Sequence, residues 1–287
     1  QNLETGNFKQ DSLDPTTKIA SDNEYNSRVR QIQSPEPARY NADPRRLHEA
    51  SGCAGKLAVF AVRMDTYPIP NRKKVFYLGT NNPDNFEKIR RNVLQKFDSL
   101  PVSGEYMHRD CYNATKKYGK DTFLVINKLG SSFIPKLFAL RRFADRIANK
   151  TKLLPDKFTD LLMQFLSRLW PNHLPKRMED FNEAFEHHWV IEMADSGIDE
   201  ANDYLESFFK RHEGNFFVCT EKESEKAILH RFVSGSAIGR MHAVNRSEYG
   251  DMMTMDIAFP RNEFDWFEKL PEEINELLAV KLYYGHL

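Results

Sequence analysis

The sequence predicts an α+β fold: an open antiparallel sheet with helices on one face, interrupted by a basic helical insert. Three observations lead there. Apolar, β-branched runs alternate with amphipathic runs of helical period over 73–110 and again from 187 onward. Between them, over 131–178, strand signals vanish and Leu, Phe and Trp are interleaved with Lys and Arg. Charge is also segregated. The 287-residue chain balances 41 Lys plus Arg against 41 Asp plus Glu, yet 108–178 holds 15 of the first and 5 of the second, a net +10.

Taken in order, residues 1–48 are polar and poor in large apolar side chains, so they form either a disordered tail or the late part of a domain. The stretch 52–64, GCAGKLAVFAVRM, then turns abruptly apolar after a Gly-rich turn and is expected to be a buried strand. KKVFYLGT at 73–80 is a second strand. Asn82 and Pro83 then supply a cap and a first-turn residue for a helix that places Phe86, Ile89, Val93, Leu94 and Phe97 on one face. GEYMHRD at 104–110 returns as a strand. The order recurs with HHWVIEMA, the helical IDEANDYLESFFKRH and the strand NFFVCT. A third round follows: EKAILHRFV as helix, MTMDIAFP as strand, a helical 260–278 and a last strand, AVKLYYGH. Strands alternating with single helices suggest a ferredoxin-like arrangement in two halves.

Within the basic block, Pro135, Pro155, Pro171 and Pro175 are expected to divide amphipathic helices into pieces of ~10–16 residues. Cations beside Leu, Phe and Trp suit a segment lying on an anionic bilayer, and Lys136, Arg141, Arg142, Arg146, Lys150, Lys152, Lys157 and Arg168 are the candidate contacts. The alternative is a small helical subdomain packing on the neighbouring sheet. No span is expected, because the longest uncharged apolar stretch near the middle, LLMQFLS at 161–167, is far short of the ~20 residues a crossing helix needs. The three cysteines, Cys53, Cys111 and Cys219, match no redox or metal spacing. Adjacent His187 and His188 would point to opposite faces of a strand and cannot share an ion, so no metal site is expected. GCAGK fails as a nucleotide-phosphate loop, which needs four residues between its glycines. Arg231, beside Leu229 and Phe232, needs an anion, either a protein carboxylate, the commoner case, or a substrate carboxylate.

GCAGKLAVFAVRM resembles the end of the flavin-binding domain of FAD-linked oxidases of the vanillyl-alcohol oxidase type. Together with ARYNADP, GEYMHRD, YGKDTF, HLPKRM, EHH, FFVCT, LHRF, MDIA and KLYYGH, in the same order along nearly the whole chain, it is similar to the quinone-dependent D-lactate dehydrogenases, peripheral respiratory flavoenzymes. That resemblance implies a division into the tail of a first FAD portion (1–65), a cap (66–107 and 185–287) and a membrane-binding insert (108–184). It implies FAD contacts at Gly52, Gly55, Ala58 and Val59, a carboxylate-binding role for Arg231, and His286 as the catalytic group at the substrate hydroxyl. Metal-using relatives keep a Lys where this chain has Thr254, two residues before Asp256, and no metal is carried over. The implied partners are D-lactate, a membrane quinone and anionic phospholipid at the cytoplasmic face of the inner membrane. The competing readings are a non-catalytic membrane adaptor and a nucleic-acid-binding module. The second lacks the aromatic RNA-binding strand motif, and no nucleic-acid partner is expected.

Overall fold

A computed structural model describes residues 25–37, 58, 68–151, 158–245, 260–263, 273, 274 and 276. Its centre is a four-stranded antiparallel sheet of β1 (Lys73–Thr80), β2 (Ser103–His108), β3 (His187–Ala194) and β4 (Asn215–Val218), in the order β2-β3-β1-β4. β1 and β3 lie inside the sheet. Their apolar runs follow from that position, because each alternate set of side chains meets a packed layer.

Two crossover helices, α2 (Pro83–Lys96) and α8 (Gly197–Phe209), cover one face. There Phe76, Leu78, Tyr106, Ile191 and Met193 of the sheet meet Phe86, Ile89, Val93 and Phe97 from α2 and its end, and Ile198, Ala201, Leu205 and Phe208 from α8. The α2 start is the one expected: the Asn82 side chain accepts from the Asp84 N–H at 3.0 Å, and Pro83 follows where no N–H is needed. Leu94 is only partly buried. The strand order and both crossovers are those of the ferredoxin-like arrangement.

The opposite face is not left to solvent. The chain between β2 and β3 forms α3 (Arg109–Tyr118), α4 (Lys120–Leu129), α5 (Ile134–Thr151), α6 (Phe158–Ser167) and α7 (Lys176–Ala184). After β4 come α9 (Glu221–Phe232), opened by a Thr220–Glu223 capping box, and α10 (Ser234–Val244). Val75, Tyr77, Met107 and Phe217 of the sheet pack on Cys111 and Tyr112 of α3, Phe123 of α4, Met178 of α7 and Ala227 of α9. Thus part of the insert is a layer of the core.

Several expectations change in detail. β2 stops at His108, because the His108 ring caps α3 by accepting from the Asp110 N–H at 3.2 Å. Pro135 starts a helix instead of breaking one: it is the second residue of α5, where its missing N–H costs nothing, and the helix runs 18 residues. Residues 25–37 are not a free tail. They hold the short α1 (Tyr25–Val29) and a buried Ile32, and the Arg30 guanidinium donates to the carbonyls of Leu94, Phe97 and Asp98 at the end of α2. The strand expected at 52–64 and those of the third round lie outside the described residues, Ala58 and Pro260 apart.

Candidate functional site

Helices α5 and α6, in contact with each other, expose what a water-soluble helix pair buries. On α5, Leu140, Phe143 and Ile147 recur at i, i+3, i+7 and are 65%, 58% and 49% exposed. On α6 and its end, Leu162, Phe165 and Leu169 repeat that spacing at 41%, 60% and 72%. Lys136, Arg142, Arg146, Lys150 and Arg168 are exposed among them, and Arg142, Arg146 and Lys150 line an open groove of about 500 Å³ with Asp145. An apolar stripe flanked by cations matches the two layers of a bilayer surface, acyl chains and anionic headgroups. Among the described residues no single helix is long and apolar enough to cross a membrane. Lys120–Leu129 and Ser131–Ile147 reach that length and composition only as two arms bent by 116°.

Polar side chains turn inward instead. Thr159, Gln164 and Ser167 of α6 are buried: the Thr159 hydroxyl donates to Asp145 at 2.6 Å, and the Gln164 amide donates to the Lys117 carbonyl at 3.0 Å. Asp121 of α4 and Arg240 of α10, both fully buried, form an ion pair at 2.8 Å. Arg240 also donates through Nε to Asp160 of α6 at 3.2 Å, and Arg141 of α5 pairs with Asp121. Arg141 thus differs from the other described candidates for lipid contact. It is half-buried, its charge is matched by Asp121, and its guanidinium lies 5.8 Å from the Phe138 ring. Lys152 and Lys157 lie outside the described residues.

A second cluster sits where the insert meets the sheet. The His188 ring lies 5.5 Å from Tyr112 and 5.8 Å from Tyr77, and His230 lies 4.5 Å from Tyr112. His173 packs 4.5 Å from Phe123 and 6.5 Å from His230. On the other face of the sheet, His187 contacts the Tyr106 hydroxyl through Nδ1 at 2.9 Å. The two adjacent histidines thus face opposite ways, as the strand requires. Burial, reinforced by surrounding cations, pulls His188 and His230 down to about 3 and His173 and His187 to about 4. All four are neutral near pH 7.

Arg231 stands at the edge of this cluster, and its anion is a protein carboxylate: Nε lies 2.8 Å from Glu105 of β2. The two line an enclosed cavity of about 10 Å³ with Tyr77, Met107, His188 and His230, room for one water. Gly52, Gly55, Val59 and His286 lie outside the described residues, and Ala58 is exposed. Among the described residues no group of three or more His, Cys, Asp or Glu could hold a metal ion.

Sequence reasoning missed Glu105, Asp121, Asp160 and Arg240. The available signals were isolated charges in apolar settings: Asp121 is the lone acid of KDTFLVINKL, and Arg240 is the lone Lys or Arg of the helical SGSAIGRMHAV.

Residues 75–287 match the family model described as D-lactate dehydrogenase, membrane binding. The chain belongs to that family. It is similar to the quinone-dependent D-lactate dehydrogenase of Escherichia coli (strain K12), 49% identical over 284 residues, covering 99% of this chain and 50% of the relative. Similarity extends to the enzymes of the same name from Haemophilus influenzae, 48% identical over 92% of this chain and 47% of the relative, and Corynebacterium glutamicum, 39% over 99% and 50%. The chain spans about half the length of these relatives. The matched region begins inside β1 and takes in both α5 and α6.

Proposed function

We propose that this chain is the cap and membrane-binding part of an FAD-dependent, quinone-linked D-lactate dehydrogenase. The division would be an FAD-domain tail at 1–65, a cap at 66–107 and 185–287, and a docking insert at 108–184. The reaction is oxidation of D-lactate to pyruvate. FAD, held through the backbone at Gly52, Gly55, Ala58 and Val59, would supply the two-electron redox chemistry that links D-lactate to a quinone in the bilayer.

The observation that carries this reading is the outward apolar stripe with its flanking cations, lying within the region that matches the membrane-binding family. A quinone is lipid-soluble, so an enzyme that reduces it gains from resting on the bilayer. Five exposed cations, Lys136, Arg142, Arg146, Lys150 and Arg168, at about 1 kcal/mol each near an anionic surface, favour peripheral, salt-sensitive binding to anionic phospholipid at the cytoplasmic face of the inner membrane.

On the substrate side, Arg231 would bind the lactate carboxylate and exchange Glu105 for it, since both anions suit one guanidinium. His286 would hold or accept the proton of the C2 hydroxyl. Gly52, Gly55, Ala58 and Val59 would line the flavin through backbone atoms.

The test is the visible spectrum of the full-length protein before and after D-lactate. A flavin spectrum that bleaches is expected. A folded full-length protein without flavin, or with flavin that D-lactate leaves oxidised, refutes the enzyme reading.

A further inference from the structure

We propose that Arg240, outside the basic insert in sequence, is a positioning residue for membrane binding: with Asp121 it forms the buried ionic seat that turns the apolar face of α6 outward. The inference rests on α5 and α6 being the docking surface.

An amphipathic helix beside a protein body in water packs its apolar stripe inward by default. α6 does the reverse, so something must hold the polar stripe against the body more firmly than Leu162, Phe165 and Leu169 would hold theirs. The structure supplies a closed set of charges for that purpose. Arg240 is 3% exposed and Asp121 is 1% exposed; Asp160 joins Arg240, Arg141 joins Asp121, and the four charges cancel. Asp121 belongs to α4, Arg141 to α5, Asp160 to α6 and Arg240 to α10, so both docking helices are tied to one buried pair anchored elsewhere.

Neighbouring bonds complete the seat. The Thr159 N–H and hydroxyl donate to Asp145 of α5 at 3.2 Å and 2.6 Å, and Gln164 donates to a carbonyl of α3 at 3.0 Å. Rolling α6 to bury its leucines would leave Arg240 facing apolar side chains with one of its two carboxylates withdrawn. Arg240 and Arg141 would then share the single carboxylate of Asp121, and a buried charge left uncompensated is strongly disfavoured, so that orientation is closed. The sequence separates the tasks: cations on the outer surface meet the lipid, and an inner cation decides which side of the helix is outer.

The experiment compares Arg240→Met, Arg240→Lys and Asp160→Ala in the full-length protein with a reference carrying Arg142→Glu and Arg146→Glu. Binding is measured on vesicles of phosphatidylethanolamine and phosphatidylglycerol. Hydrogen exchange of β1, β3 and 158–169 is followed in parallel. If removal of the seat leaves about a tenth of the molecules with α6 correctly turned, apparent affinity falls about tenfold. That fall is expected for Arg240→Met, with exchange in 158–169 altered, β1 and β3 still protected, and binding restored by Arg240→Lys.

Asp160 is less buried than Arg240, so Asp160→Ala keeps the test open if Arg240→Met does not fold. A folded Asp160→Ala or Arg240→Met protein that binds vesicles like the parent, while the reference variant does not, overturns the seat and leaves the docking surface standing. Unchanged binding in the reference variant as well overturns the docking surface itself.

Discussion

Acidification from pH 7.5 to pH 5.5 should loosen the cap through four histidines: His173, His187, His188 and His230. Each is buried, and each is held neutral, with pKa values of about 3 to 4 in the fold against ~6.5 in an unfolded chain. The folded values are depressed, so between about pH 4 and 6.5 the unfolded state binds more protons and stability falls as pH falls. Apart from Glu186 and Glu213, which favour a charged His187, the surrounding charges oppose protonation in the fold. Lys116, Lys120 and Lys226 surround His173, Arg109 lies near His188 and His187, and His230 faces both His173 and His188.

One pH unit below 6.5 each group costs between about 1 and 2 kcal/mol, so the four together cost on the order of 5 kcal/mol by pH 5.5. That is comparable with the whole stability of a typical domain, ~5–15 kcal/mol. The assay is urea unfolding of the full-length protein followed by hydrogen exchange of β1 and β3. Stability against pH should steepen below pH 6.5 toward a slope of about four protons, and His230→Phe should remove about one of them. A flat profile between pH 7.5 and 5.5, or a slope that His230→Phe leaves unchanged, would refute the reasoning.

Three further outcomes are expected. Neutralising Arg142, Arg146 and Lys150 to Gln removes about 3 kcal/mol of attraction, so binding to anionic vesicles at low salt should drop by about two orders of magnitude in a sedimentation assay. Arg231→Ala should raise the KM for D-lactate about tenfold or more through loss of a charge-assisted pair, and unchanged steady-state kinetics would remove Arg231 from the substrate site. Gly79→Ala would place a methyl 2.4 Å from the Phe185 ring and 2.9 Å from that of Phe181, costing about 1–3 kcal/mol of stability by thermal unfolding.

The sheet was legible because local chemistry settles it. KKVFYLGT and HHWVIEMA are strands from end to end, and Asn82–Pro83 announces α2. The end of β2 was less so, since it depends on the His108 ring capping α3. The orientation of α5 and α6 stayed open between two readings, apolar face on a bilayer or on the sheet. Hydrophobic period reports that a helix has two faces and says nothing of which one meets the body. That sign is set by Arg240 and Asp121, far apart in the chain. Arg231 shows the same limit: its need for an anion was visible, and its partner Glu105, on a strand reached only through the fold, was not.

In the register of the central sheet, His108 stands directly opposite His187, so the whole of 109–186 departs from and rejoins a single rung. A tight turn could close that hairpin, and the polypeptide instead makes a long detour that ends where it began. The detour is not an ornament that evolution could trim at will. Without Tyr112, Phe123 and Met178, the side chains of Val75, Tyr77, Met107 and Phe217 would face water. Any shortening of 109–186 would have to resurface the sheet as well, so the segment that carries the proposed docking surface also keeps one face of the sheet dry.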